Sequence, residues 1–208
     1  MNPLETFGIV PVDFATLTTI LKGYTFPKDK VVSLEKSGEL IRLKKGIYVV
    51  SRNIHRQNIS MELIANHLYG PSYVSLESAL SFYSLIPERV HSIRSMTLKR
   101  GRKFITPVGN FEYIKSETSY FRIGIHQANI NDRYIFLIAS PEKALCDLII
   151  NTSGLRIQSP KAMRVYLEDD LRMDFSDLLN FDLEIIKGCI ENGKKKNELT
   201  HLYKSLKQ

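Results

Sequence analysis

Tryptophan is absent from this chain of 208 residues, cysteine occurs only twice and glycine eleven times, and the pattern of each scarcity narrows what the protein can be. Cys146 and Cys189 have neither a second Cys nor a His at ligand spacing, which argues against a disulfide framework or a zinc site. Both lie in apolar helical patterns and are expected as reduced core residues. The glycines fall singly at predicted turns and form no phosphate loop of either common kind, which argues against nucleotide use. Long apolar runs are missing too. The best, Tyr134 to Ala139, is far too short to cross a bilayer, and the opening Met-Asn-Pro-Leu-Glu lacks the charged and apolar segments of a leader, so a cytoplasmic protein with no membrane partner is expected. His55, His67, His91, His126 and His201 are dispersed and make no local triad segment. There is no internal repeat and no low-complexity tract.

What is present is a 43% hydrophobic composition, enough to build cores, and a net charge of +7 that favours an anionic partner. The charge is unevenly placed. Residues 52–103 carry eight basic against three acidic residues, whereas residues 141–192 carry six against ten. A nucleic acid would therefore be held by the front of the molecule.

Along the chain, Asp13 caps a helix over 13–22, and Thr25 and Pro27 open a second over about 26–37 that stops at Gly38. A turn of 100° per residue puts Val31, Val32 and Leu34 on the inner side of the second helix and Asp29, Lys30, Ser33, Lys36 and Ser37 on the outer. Gly38 to Val50, GELIRLKKGIYVV, reads as two strands joined at Lys44-Lys45-Gly46. A basic hairpin beside a short helix is what a winged helix offers to a nucleic-acid backbone. Residues 51–58 read as a linker, dividing a winged-helix module at 1–52 from a larger domain at 59–208. In the latter, helices are expected at 60–68 and after Ser75, and strands at 93–98, 109–115, 120–125 and 133–139. Further helices follow at 141–151, 160–169, 175–180, 182–192 and 196–206. The fold class is α+β: a small N-terminal winged helix, then a mostly antiparallel sheet flanked by helices and a helical C-terminal part. Only two helices fit between residue 11 and Gly38, so the first module is abbreviated or a later helix completes its core.

The candidate DNA-binding residues are Lys28, Lys30, Ser33, Lys36 and Ser37 on the second helix and Arg42, Lys44 and Lys45 on the hairpin. Arg94, Lys99, Arg100, Arg102 and Lys103 form a further basic cluster able to grip a backbone alongside the wing. For catalysis, Glu142 with Asp147, and the group Asp169, Asp170, Asp174 and Asp177, are the carboxylates that a metal-dependent nuclease would use. Glu142 in a first helical turn and Asp147 four residues after Lys143 have simpler helical explanations. No metal, cofactor or catalytic residue is expected.

Three segments, LEKSGELIRLKKGIYVV at 34–50, YVSLESALSFYSLIPERV at 73–90 and IASPEKALCDLI at 138–149, together resemble the AbiEi-type antitoxins, the regulator half of type IV toxin–antitoxin and abortive-infection systems. The resemblance implies a winged helix that binds inverted repeats in its own promoter as double-stranded DNA and represses it, joined to an antitoxin domain. The functional partner it implies is a nucleotidyltransferase-like toxin, countered without a stable complex. Two alternatives stand beside it: a toxin-interacting protein that does not bind DNA, and the metal-dependent nuclease.

Overall fold

Asp13 fixes where the first helix begins, because its side chain accepts the Thr16 N–H at 2.8 Å and satisfies one of the donors that a helix start leaves free. In the computed structural model, which describes residues 2–88 and 90–207, this helix is α1 (Phe14–Ile20). Met1, Gln208 and Arg89, the last within the 73–90 motif, lie outside the described residues. Pro27 occupies the first turn of α2 (Pro27–Lys36), and Gly38, at φ 75°, turns the chain out of it. β2 (Leu40–Lys44) and β3 (Ile47–Val50) then pair antiparallel, with a bulge between Arg42 and Lys44, and β1 (Val12–Asp13) pairs with the far side of β3.

Two features depart from expectation here. Residues 3–7 form a 3-10 turn capped by Asn2, which buries Leu4, and the segment expected as a linker holds α3 (Arg52–His55), whose Ile54 packs on the same core. These two short pieces cover the small core of Val12, Leu17, Leu21, Val31, Leu34, Leu40, Tyr48 and Val50 where a third full helix is missing. On α2, Val31 and Leu34 are buried, but Val32 is 47% exposed and Lys30 is half-buried against Tyr24. The core is too small to cover more than a narrow stripe of that helix.

The rest of the chain builds a six-stranded mixed sheet in the order β6-β7-β5-β4-β9-β8. Its strands are β4 (Ser72–Val74), β5 (Ser92–Thr97), β6 (Arg102–Thr106), β7 (Gly109–Lys115), β8 (Ile125–Ile130) and β9 (Tyr134–Ala139). Three of its pairings are antiparallel, while β5–β7 and β4–β9 are parallel. Helices α4 (Met61–Leu68), α5 (Leu76–Phe82) and α7 (Pro141–Asn151) pack with it, followed by α8 (Pro160–Val165), α9 (Phe175–Leu178), α10 (Leu183–Asn192) and α11 (Lys196–Leu206). The architecture is α+β. The strand expected over 120–125 is instead α6 (Thr118–Phe121) followed by a turn at Gly124, φ 58°, because Tyr120 is drawn into the core. The larger core also takes in Ile9, Leu43 and Val49, so one face of the small sheet packs on the larger unit.

Candidate nucleic-acid interface

The hairpin turn consists of Lys45 and Gly46, the latter at φ 81°, and it is tied to α1 by the Phe14 N–H donating to the Gly46 carbonyl at 3.0 Å. Lys45 is exposed. Lys44 is not the free phosphate contact that the sequence predicts. Its ammonium donates to the Leu68 carbonyl at the end of α4 and stands 5.7 Å from the Phe104 ring centroid. Desolvation lowers the Lys44 pKa, and the nearby charges of Lys99 and Arg102 lower it further. The bulge after Arg42 accompanies this inward turn of the strand end.

The same neighbours show what the fold has assembled. Lys99 and Arg100, on the turn before β6, are held there: the Tyr69 hydroxyl donates to the Arg100 carbonyl at 3.1 Å, and the Lys99 ammonium lies 5.3 Å from the Tyr69 ring centroid. Arg102, on edge strand β6, stacks its guanidinium 5.0 Å from Phe104. Beneath these cations Tyr69, Phe104 and Tyr113 pack together at 5.2 to 5.7 Å, Tyr113 edge-on to both others and Tyr69 tilted on Phe104, and the Tyr113 hydroxyl donates to the Ala65 carbonyl. Lys44, Lys45, Lys99, Arg100 and Arg102 form no ion pair among the described residues. An aromatic floor therefore carries a cluster of cations drawn from both units.

Three other expected contacts are compromised. Arg94 is held by Glu77 at 2.6 Å and by Glu112 at 3.2 Å, which neutralises it within the sheet. Lys103 is exposed but paired with Glu112 at 2.9 Å, and Arg42 faces Glu35 at 3.8 Å. On α2, Lys28, Ser33 and Lys36 are exposed, as is Ser37 just past its end, whose hydroxyl donates to Glu39.

Of the carboxylates that a nuclease would need, Glu142, Asp147 and Asp174 are engaged internally, while Asp169, Asp170 and Asp177 are exposed. Glu142 accepts the Asp182 N–H at 3.0 Å ahead of α10. Asp147, fully buried, accepts from the Lys143 ammonium at 2.8 Å on one oxygen, and from Ser75 at 2.6 Å and Tyr73 at 3.1 Å on the other. Lys143 is fully buried as well and lies 3.1 Å from the Tyr120 ring centroid. Asp174 caps α9 through the Ser176 N–H. Among the described residues no group of three metal-ligating side chains converges, and no helix is long and apolar enough to cross a membrane.

Tyr69 and Phe104 escaped sequence reasoning because their spacing fits core periodicity. The lysines and arginines around them were the signal that could have found them. No protein-family model and no curated protein matches the chain.

Proposed function

We propose that this protein is a non-enzymatic, double-stranded-DNA-binding regulator that represses its own promoter and acts as the antitoxin of a type IV toxin–antitoxin system. The single observation that carries DNA binding is the convergence of Lys99 and Arg102 beside Lys44 over the aromatic floor, with Lys45 and Arg100 exposed next to them in sequence and none of the five in an ion pair among the described residues. Such a surface neutralises phosphates and releases counterions, which makes affinity steeply salt-dependent. Helix α2, with Lys28, Ser33 and Lys36 facing outward, is the element sized for a major groove. The antitoxin part rests on the resemblance of residues 34–50, 73–90 and 138–149. The nuclease alternative loses support, since Glu142 and Asp147 spend their oxygens on internal donors.

The test is a gel shift or anisotropy titration on the DNA upstream of the chain's own reading frame, across a salt series. Replacing Lys45, Lys99, Arg100 and Arg102 by Ala is expected to lower affinity and to shallow the log K against log salt slope by about 0.9 for each phosphate no longer neutralised. Unchanged affinity and slope would remove this surface from the function. Loss of toxin neutralisation in cells expressing the neighbouring gene, on deletion of the regulator's gene, tests the antitoxin part.

A further inference from the structure

The sheet order β6-β7-β5-β4-β9-β8 puts Arg102 on one edge strand and the β8–β9 hairpin at the opposite edge, so four strand spacings, roughly 19 Å, separate β6 from β9. A second group of cations gathers there. A cleft of about 720 Å³, open to solvent, lies between the turn of that hairpin and the segment that joins the two units, and Arg52, Arg56 and Arg133 line it. No Asp or Glu does, and none of the three guanidiniums has an ion-pair partner among the described residues. The side-chain amides of Gln57, Asn58 and Asn131 line it too, and among the described residues they make no hydrogen bond within the chain.

The backbone beneath these groups is fixed. His55 pins the joining segment, its Nε2–H donating to the Val50 carbonyl at 3.1 Å and its Nδ1 accepting the Gln57 N–H at 3.1 Å. The Arg56 N–H donates to the Arg52 carbonyl at 2.8 Å, and the Arg133 N–H to the Ile130 carbonyl at 3.0 Å. Asp132, the carboxylate of the hairpin turn, accepts from the Asn129 amide at 2.7 Å. Arginine does not shed its proton in a protein, so the three charges repel one another until an anion offsets them. Each planar fork suits two oxygens of one phosphate. A phosphate monoester carries only about −1.5 to −2 at neutral pH, less than three guanidiniums balance.

We propose that this cleft binds a small compound with two or more phosphate groups, held by the three arginines and oriented by the amides. A duplex is a stiff rod with its phosphates on the outside, whereas a recess between two units admits a compact ligand. The site needs nothing from the DNA-binding reading, which the other edge carries.

Sodium pyrophosphate without magnesium, titrated into the full chain by calorimetry at constant ionic strength, is the probe, with orthophosphate as the comparison. Wild type is expected to bind pyrophosphate at least about tenfold more tightly than orthophosphate. Arg52→Ala and Arg133→Ala, both at exposed positions, are each expected to weaken pyrophosphate by about tenfold or more, since each removes a charge-assisted pair. Arg122→Ala, ahead of the other end of β8, removes the same charge roughly 20 Å away and is expected to change affinity less than about twofold. No binding by wild type, or no preference over orthophosphate, would overturn the proposal. Equal losses in all three variants would do the same, by reducing the cleft to a general surface field. So would displacement of pyrophosphate by a short duplex whose own affinity falls in the two cleft variants, because the occupant is then the DNA backbone.

Discussion

Lys143→Met removes the ammonium from the most deeply buried ion pair and leaves Asp147 charged, fully buried, and supported only by the hydroxyls of Ser75 and Tyr73. Breaking a buried pair from one side costs about 3–5 kcal/mol, because the remaining charge keeps its desolvation penalty and loses its Coulombic compensation. The methionine keeps most of the stem volume, so little of that cost comes from a cavity. In a domain of this size each kcal/mol moves the melting midpoint by roughly 2–4 °C, which gives a fall of about 6–20 °C. The double variant Lys143→Met with Asp147→Leu removes both charges. It leaves two hydroxyls without an acceptor, a penalty of roughly 2–6 kcal/mol, so it is expected to be less damaging than the sum of the two single changes, each of which strands a buried charge. Urea unfolding of wild type, both singles and the double, near neutral pH and with coincident fluorescence and circular dichroism transitions, measures all four. A single-variant cost below about 1 kcal/mol, or additive singles, would refute the claim that this pair is a coupled, uncompensated-when-broken element.

Gly193→Ala is expected to cost about 1–3 kcal/mol in the same assay: a Cβ there would stand 2.5 Å from the Cys189 carbonyl oxygen at the end of α10 and 2.8 Å from the Tyr120 ring. An unchanged midpoint would show that both the end of α10 and the ring shift at no cost. Asp13→Asn tests the α1 cap. The Thr16 N–H lowers the Asp13 pKa, so the extra stability of the charged cap is present above the ordinary carboxylate range and is lost as pH falls through the lowered folded value. The wild type should therefore exceed the variant by a few tenths of a kcal/mol at about pH 7, solvent screening keeping the exposed cap's contribution small, and lose that margin as pH falls below the ordinary carboxylate range; a pH-independent difference would contradict this. Lys45→Ala should shallow the DNA salt slope by about 0.9 while Lys44→Met leaves it unchanged, since the Lys44 ammonium is bound to Leu68. Equal effects of the two would mean that Lys44 turns outward when DNA binds.

Helix α2 and the hairpin were readable because their signals are local. Pro27 at the start, Gly38 at the end and Lys45-Gly46 between two short apolar-rich strands each act within a few residues. The errors share the opposite property. β6 carries Arg102 and Lys103 with an 89% exposed Ile105 and has strand character only because β7 pairs with it, at the edge of the sheet. Tyr120 reads as a strand residue but turns inward to cover Lys143, 23 positions later in the chain. Val32 obeys helical periodicity, yet burial of that face requires a partner element, and none among the described residues covers it. The inward turn of Lys44 depends on a carbonyl 24 residues away. For the interface, the sequence identified most of the charged residues; which of them neutralise one another depended on strand register, as with Arg94 opposite Glu112.

The docking of the hairpin changes how the proposed DNA surface would work. A free basic finger loses side-chain and loop entropy when it meets a phosphate, whereas Lys99 and Arg102 already rest on Tyr69 and Phe104 and lose less. Lys44, half-buried beside them, would contribute charge to that surface without touching a phosphate. Its depressed pKa has desolvation as the leading cause and repulsion from Lys99 and Arg102 as the next, so the positive potential of the patch already acts on it. A polyanion laid on Lys99 and Arg102 would offset that repulsion. By linkage, the bound anion and the Lys44 proton then favour each other, and affinity falls as pH rises through the lowered Lys44 pKa. Lys44→Met removes that titration and, because its salt slope is otherwise preserved, separates a charge that supports the field from the charges that touch the backbone.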